Sequence, residues 1–240
     1  PLKIRNKINK DISKILSNKI SKVVSKNKKK KLSNILKKIS KISDEKFLEF
    51  FGHSASRVLS HDTTEKINNW IKQFLPKILN KEVSLHYIAD YEFKKNKSLK
   101  KRQLHANFRV VRPFKKDVTY PHRDFDFGKI YNKYFKAPIY AKDRLKIWIP
   151  IFGCQKSNSL WFYKKSHLKK NIKVGYIYKN QRPKPIISKK FLQKINKSKI
   201  NPIKNFNNSA VMFHDKLIHF APQNQTKEIR VSSEFTVVTN

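Results

Sequence analysis

His122 and Asp124 stand two residues apart in the segment YPHRDFDFG, Tyr120 to Gly128, which is rich in aromatic residues. In an extended strand, residues two apart point to the same face, so both side chains could reach one ion. An imidazole together with a carboxylate favours a borderline cation such as Fe(II), Mn(II) or Zn(II). Asp126 continues the alternation and is the other candidate carboxylate. An H-x-D pair alone is weak evidence, because an ordinary solvated loop can also contain it.

A third ligand is available in the C-terminal segment MFHDKLIHFAPQNQTKEIRVSSEF. His219 or His214 would complete a set of two imidazoles and one carboxylate, which leaves three coordination positions open on one side of a metal. Arg230 follows His219 by eleven residues, and Ser232 lies two residues further, on the same face of a strand. A guanidinium can clamp a dicarboxylate through bidentate hydrogen bonds, and a hydroxyl can add a third donor. Together these signals predict a metal site with a dicarboxylate ligand.

Four segments, in the same order, resemble the Fe(II)/2-oxoglutarate dioxygenases, and within them the phytanoyl-CoA dioxygenase-like group. They are HRD, KIWIPIF, SNSLWFYKKSHL and LIHFAPQNQTKEIRVSSEF, and the resemblance covers roughly residues 100–238. Three positions depart from the family pattern. Ser159 and Lys165 stand where the family has glycine, and Phe220 replaces a frequent glycine after the distal histidine.

The resemblance implies that His122, Asp124 and His219 bind Fe(II). It selects Asp124 over Asp126 as the carboxylate, and it selects His219 over His214 because only His219 is followed by the matching turn and arginine. It also implies a double-stranded β-helix, the jelly-roll core of cupin-like proteins. The expected activity is that of a 2-oxoglutarate-dependent dioxygenase, a hydroxylase of a small-molecule, sugar or lipid intermediate, with O2 as the oxidant.

By the same resemblance, Arg230 and Ser232 hold the distal carboxylate of 2-oxoglutarate. Lysine is the default cation of this chain, with 47 Lys against 9 Arg, so an arginine suggests a need for a planar fork of donors. Arginines and other residues near the proposed metal ligands in the sequence are expected in the substrate pocket. They are His105, Arg109, Arg112, Asp126 and Trp148.

The pattern of apolar residues predicts helices first and strands afterwards. Two basic amphipathic helices are expected in residues 1–43, and more helix is expected up to residue 80. One helix should begin after Ser43 and end at Gly52, and a later helix should turn Trp70, Phe74 and Leu75 inward. The remainder reads as strands, which predicts a mainly β fold with N-terminal helices. We expect a helical extension over residues 1–43 and an oxygenase domain over 44–240, with residues 44–80 as its helical part and an insertion at 164–207.

The net charge of +40 suggests a polyanionic partner, either nucleic acid or an anionic membrane. A second reading is the lysine, isoleucine and asparagine bias of an AT-rich genome. A basic binding protein on a β scaffold, or a Zn- or Mn-dependent cupin-like enzyme, is therefore the alternative function. The single cysteine excludes an internal disulfide and a cysteine-based metal site. With no run of 18 apolar residues, no transmembrane segment is predicted and a cytoplasmic location is expected.

Overall fold

The protein is described here from a computed structural model. The structure describes residues 2–21, 32–52, 57–85, 87–91, 99–104, 106–115, 117–127, 144–179, 182–194, 200–203 and 209–239. Among these residues, four α-helices come before the strands and a fifth lies between two strands, besides a helical turn at 124–127 and a 3-10 turn at Ser166–Leu168. The five helices are α1 Leu2–Ser21, α2 Leu32–Ser40, α3 Asp44–Phe51, α4 His61–Leu79 and α5 Lys189–Gln193. Within these residues, no helix has both the length and the apolar character that crossing a bilayer requires.

The N-terminal helices bury their apolar faces in the main core. Ile8, Ile12 and Leu16 recur every four residues along α1, and each is completely buried. They share one cluster with residues of α2 to α4 and of the strands. The division predicted between residues 1–43 and 44–240 stays a prediction.

The boundaries of α3 agree with the sequence. Ser43 is its N-cap and accepts a hydrogen bond from the backbone N–H of Lys46, and Gly52 follows its last turn. The prediction that Phe74 of α4 points inward is wrong, because this side chain is 41% exposed.

Strands occupy most of the described chain after residue 82, as the sequence predicts. They are β1 Val83–Leu85, β2 Tyr87–Tyr91, β3 Leu99–Leu104, β4 Ala106–Val111, β5 Thr119–His122, β6 Arg144–Phe152, β7 Trp161–Tyr163, β8 Val174–Lys179, β9 Arg182–Ile187, β10 Ile200–Pro202, β11 Val211–His214, β12 His219–Ala221 and β13 Arg230–Thr239. The larger sheet has the order β1-β13-β6-β11, with β4 also paired to β13, and the smaller sheet has the order β10-β7-β12-β5. Two antiparallel sheets in this mainly β chain form the jelly-roll core that was expected.

The two faces of the larger sheet have different surroundings. On β13, the alternate residues Val231, Phe235 and Val237 are buried in the cluster that includes the helices. Arg230 and Ser232 therefore point to the opposite face, towards the smaller sheet. The period of two thus brings polar side chains of β13 into the space between the sheets.

The insertion predicted at 164–207 contains a β-hairpin that the sequence analysis did not find. Strands β8 and β9 pair antiparallel, and the short helix α5, which has Ser188 as its N-cap, follows them. The segment of β9 contains Pro183 and Pro185, and because proline is uncommon in strands, no strand was expected there. In a two-stranded ribbon, two prolines spaced by two residues can both turn their nitrogen away from the partner strand, so no ladder hydrogen bond is lost.

Candidate metal centre

Adjacent strands bring the two candidate histidines together. His122 ends β5 and is the register partner of His219, which begins β12. Their rings lie 4.4 Å apart between centroids, and both are buried. Asp124 reaches them in a way that the sequence analysis did not foresee. The strand stops at His122, and Asp124 opens a single helical turn over residues 124–127.

The three side chains form one compact set of ligand atoms. Oδ1 of Asp124 lies 3.8 Å from Nε2 of His122, and Oδ2 lies 3.6 Å from Nε2 of His219. One ligand atom from each residue falls within 4.8 Å of the other two. Bonds of 2.0 to 2.2 Å to a shared central ion would bring these atoms to roughly 3 Å from one another, which requires only a small inward shift of the side chains. Among the described residues this is the one such cluster of histidine, cysteine and acidic groups.

Backbone carbonyls orient both imidazoles. Nδ1 of His122 lies 2.7 Å from the carbonyl oxygen of Tyr120, and Nδ1 of His219 lies 2.9 Å from that of Leu217. A carbonyl only accepts, so each Nδ1 carries the proton and donates it. The lone pair of each neutral ring is then on Nε2, which faces Asp124. This is the outer hydrogen bonding that metal-binding histidines usually have.

The electrostatic surroundings keep the histidine neutral and the aspartate ionised. Burial, with the neighbouring His219, lowers the pKa of His122 to about 4. Burial alone would raise the pKa of Asp124, but Lys146 and the two histidines hold it below its usual range. The ammonium of Lys146 lies 3.4 Å from Oδ2 of Asp124 in an ion pair that is not aligned as a hydrogen bond. Both protonation states are those that a divalent cation requires.

The alternative ligands lie apart from this set. Asp126 is two residues into the helical turn and points about 200° around it from Asp124. It pairs with Arg123 instead, through contacts of 2.7 and 2.6 Å. His214 contacts Asp215 at 3.0 Å and stacks on the ring of His167.

Arg230 and Ser232 present buried donors that no described residue satisfies. Arg230 is 1% exposed and donates from Nη1 to the carbonyl oxygen of Asn158 at 2.6 Å. Its Nε and the Oγ of Ser232 are buried without a hydrogen-bond partner in the described part of the chain. Burial lowers the pKa of Arg230 to about 10, which still leaves it charged at neutral pH. Buried polar atoms without partners are costly, and here they would be satisfied by a bound carboxylate.

Two asparagines that the sequence analysis did not single out hold Arg230 in place. Asn158 is fully buried and donates from Nδ2 to Gly153 O at 2.9 Å and to Asn224 Oδ1 at 3.1 Å. Asn224 in turn donates to the carbonyl oxygen of Glu228 at 2.6 Å, two residues before Arg230. Both asparagines lie in the segments that resemble the family, so the matching motifs were the available signal.

The backbone conformation at Lys165 explains why the family has glycine at this position. Lys165 has a φ of 59°, in the left-handed region where glycine is favoured. The turn places Ser166 so that its hydroxyl accepts a hydrogen bond of 2.8 Å from the backbone N–H of Ile218. This contact fixes the backbone immediately before His219, a role for Ser166 that the sequence analysis missed.

An apolar cavity of about 130 Å³ lies between the sheets beside His219. Its walls include Leu160, Phe162, Val211 and Phe213. Cys154 packs on the same hydrophobic cluster and interacts electrostatically with Arg230. The cavity therefore borders one candidate metal ligand, His219, and lies in the same apolar cluster as Cys154.

The residues expected in the substrate pocket lie in different parts of the structure, and only some of them are near the centre. Arg109 is the register partner of Ser232 and shares its face. Arg112 faces the helices, where it binds Asp117 and stacks 3.8 Å from the ring of Phe47, so it does not reach the centre. Trp148 is 2% exposed and packs behind the cavity walls. The remaining two are Asp126, which pairs with Arg123, and His105, which lies outside the described residues.

The profile of the phytanoyl-CoA dioxygenase family (PhyH) matches residues 8–232, which is most of the chain. The protein belongs to this family. Membership agrees with the resemblance found in the four sequence segments, and it makes the chain a relative of Fe(II)/2-oxoglutarate-dependent oxygenases. No curated protein matches the chain significantly.

Several solved structures are similar to this family member, and one of them, at a TM-score of 0.52, shares its fold. The iron-bound structure of EctD from S. alaskensis is 10% identical, with a TM-score of 0.52, over 95% of this chain and 68% of that one. The non-heme monooxygenase ThoJ is 11% identical over 98% of this chain and 77% of the other, with a TM-score of 0.49. EvdO2 from Micromonospora carbonacea var. aurantiaca is 15% identical over 56% of this chain, with a TM-score of 0.43. The chain spans 51% of EvdO2 and 51% of EctD in its complex with 2-oxoglutarate.

Proposed function

We propose that the protein is a non-haem Fe(II) and 2-oxoglutarate-dependent oxygenase that hydroxylates a small-molecule, sugar or lipid intermediate. The observation that carries this proposal is the convergence of His122, Asp124 and His219, whose ligand atoms lie within 4.8 Å of one another, in a member of the phytanoyl-CoA dioxygenase family. A set of two imidazoles and a carboxylate is the donor set that non-haem Fe(II) oxygenases use.

The side chains around this set fit the cosubstrate. Arg230 and Ser232 have buried donors without partners among the described residues, and these would bind the distal carboxylate of 2-oxoglutarate. Asn158 holds one side of the guanidinium and leaves the Nε side for the ligand. The apolar cavity walls would keep water from the methylene groups between the two carboxylates.

The protein would contribute to the reaction by positioning the metal and the cosubstrate and by excluding water. The triad would hold the metal on one face and leave the opposite face open, and the backbone carbonyls of Tyr120 and Leu217 keep each Nε2 directed inward. Iron bound there with 2-oxoglutarate and O2 would supply the oxidising chemistry that converts a C–H bond to an alcohol. A site enclosed between two sheets limits side reactions with solvent.

The alternative functions explain fewer of these observations. A Zn- or Mn-dependent cupin-like enzyme would use the same triad but has no need for a buried arginine with an unsatisfied donor. Attachment to an anionic membrane through the apolar face of α1 is not supported, because Ile8, Ile12 and Leu16 are buried in the core. Contact with nucleic acid or anionic lipid through the lysine-rich surface stays a prediction, as does the cytoplasmic location.

Calorimetry and visible absorption spectroscopy under anaerobic conditions test the proposal. The Fe(II)-loaded protein should bind 2-oxoglutarate and develop a weak visible absorption band, whereas glutarate, which lacks the 2-oxo group, should bind more weakly and give no band. Asp124→Ala should abolish the band. If the Fe(II)-loaded protein binds neither 2-oxoglutarate nor glutarate, or binds both equally without the band, the oxygenase proposal is wrong.

A further inference from the structure

The side of the metal centre formed by β4, β13 and β6 carries more positive than negative charge. Glu234 lies on the same face of β13 as Arg230 and Ser232, and it interacts with Lys146, Arg109, Asp124 and Arg57. Four cationic side chains thus accompany two carboxylates: Lys146 interacts with both Asp124 and Glu234, and Arg57, Arg109 and Arg230 interact with Glu234. A divalent metal and dianionic 2-oxoglutarate would cancel each other, so two positive charges would remain for the primary substrate.

Most of these cations have an evident task within the protein. Lys146 pairs with Asp124 at 3.4 Å, and Arg230 donates to Asn158 at 2.6 Å. Elsewhere, the buried arginines are also engaged, as Arg123 is with Asp126 at 2.6 Å. Arg109 differs from them. It has no hydrogen bond or salt bridge with any other residue in the part of the chain that the structure describes.

The position of Arg109 is suited to a ligand rather than to the core. It stands opposite Ser232 in the β4–β13 ladder, and it interacts electrostatically with His122, Arg230 and Glu234. The neighbouring residues on β4, Phe108 and Val110, are buried on the other face. Its side chain is only partly buried, so it borders the centre and remains reachable from outside.

We propose that Arg109 binds an acidic group, a carboxylate or a phosphate, of the primary substrate, and so makes this oxygenase selective for anionic molecules. The inference rests on the oxygenase function proposed above. A guanidinium offers a planar fork that matches both groups, and lysine does not. In the partly desolvated space between the sheets, an uncompensated pair of positive charges favours an anion much more strongly than it would in water.

Simple probes test this selectivity. The protein loaded with Ni(II) and saturated with 2-oxoglutarate would be titrated calorimetrically with butanoate and with butyl phosphate, and with butan-1-ol and butylamine as uncharged and cationic counterparts. At least one acid should bind about tenfold or more tightly than either counterpart. The stronger of the two acids identifies the substrate's group as carboxylate or phosphate.

Variants then assign the selectivity to Arg109. Arg109→Gln should weaken binding of the preferred acid about ten- to hundred-fold, the range of a charge-assisted hydrogen bond, and leave binding of Ni(II) and 2-oxoglutarate unchanged. Arg109→Lys, which keeps the charge and provides a second test if the glutamine variant does not fold, should recover only part of the affinity. Lys164→Gln removes the same charge from an exposed side chain and should have no effect.

The outcomes separate this inference from the proposed function. If the loaded wild-type protein binds the acids no better than butanol, or if Arg109→Gln leaves acid binding unchanged, Arg109 is not the substrate contact. If Arg109→Gln weakens 2-oxoglutarate binding instead, Arg109 serves the cosubstrate and the inference is overturned while the oxygenase function stands. If the Ni(II)-loaded wild type does not bind 2-oxoglutarate, both are wrong.

Discussion

Lys146 places its ammonium 3.4 Å from Oδ2 of Asp124, beside the carboxylate that is proposed to bind the metal. The side chain is only 14% exposed, so solvent screens this interaction weakly. Burial lowers the pKa of Lys146, but Asp124 and Glu234 outweigh it and raise the pKa above the usual value. The lysine therefore remains charged at neutral pH and competes with a metal for the same carboxylate.

Replacing Lys146 by methionine should strengthen metal binding. The substitution keeps most of the length of the side chain and removes the positive charge, so repulsion of a divalent ion is lost and affinity should rise roughly tenfold or more. Titration of the metal-free variant with Co(II) measures this change, and the exposed Lys164→Met is the matched control. An affinity equal to or below that of wild type would mean that the ammonium helps by orienting Asp124.

Asp124 and Asp126 should respond to alanine in opposite ways. Asp124→Ala should lower Co(II) affinity by more than about a hundredfold, since even loss of outer contacts costs ten- to hundred-fold, and should leave the fold intact. Asp126→Ala leaves the buried guanidinium of Arg123 without its partner and should lower the free energy of unfolding by about 3–5 kcal/mol. Metal titration and denaturant unfolding of both variants provide the comparison. Loss of metal binding in Asp126→Ala with a normal unfolding curve would reverse the assignment of the two carboxylates.

The convergence of His122, Asp124 and His219 could be predicted because short-range patterns contained most of the information. His122 and Asp124 are close in sequence, and the segment that follows His219 resembles a known family motif. The local geometry was nevertheless misjudged. Alternation along a strand was assumed through Asp126, whereas β5 ends at His122 and a helical turn follows. The same turn explains why Asp126 points away from the centre.

Lys146 and Asn158 could not be assigned roles from the sequence, because their contacts are distant along the chain. In a protein with 47 lysines, nothing local marks the one that will reach Asp124. Asn158 contacts Asn224, which is 66 residues away, and the sheet packing alone brings them together. Arg112 is a different case. It is three residues from Arg109, and an odd spacing along a strand places two side chains on opposite faces, so its position could have been predicted.

Arg112 should prove to be a stabilising residue rather than a substrate contact. Its side chain is 2% exposed, donates twice to Asp117 at 3.0 and 3.1 Å, and donates to the carbonyl oxygen of Ile42 at 3.2 Å. It thereby joins the start of the loop after β4 to the helices. Arg112→Met should reduce the free energy of unfolding by about 3–5 kcal/mol, because Asp117 would lose the guanidinium in a mostly buried position and keep only the backbone N–H of residue 112.

A matched variant separates the buried part of this ion network from its exposed part. Asp44 also contacts Arg112, at 3.0 Å, but is 63% exposed. Asp44→Asn should therefore lower the free energy of unfolding far less than Arg112→Met does. Denaturant unfolding measures both variants, and Co(II) titration should give wild-type affinity in each. A clear loss of 2-oxoglutarate binding in Arg112→Met, without loss of stability, would return Arg112 to the site.

Arg230→Lys should weaken binding of 2-oxoglutarate without affecting the metal. Lysine keeps the positive charge but cannot donate to Asn158 and to the ligand as the guanidinium does from Nη1 and Nε. Loss of a charge-assisted contact of about 1.5–3 kcal/mol corresponds to roughly ten- to hundred-fold in affinity.

Ser232→Ala removes a neutral donor of about 0.5–1.5 kcal/mol and should have the smaller effect. Anaerobic calorimetry with the Co(II)-loaded proteins ranks the two variants. If Arg230→Lys binds 2-oxoglutarate as wild type does, another cation holds its distal carboxylate, and Arg109, which faces Ser232 across the β4–β13 ladder, is the next residue to replace.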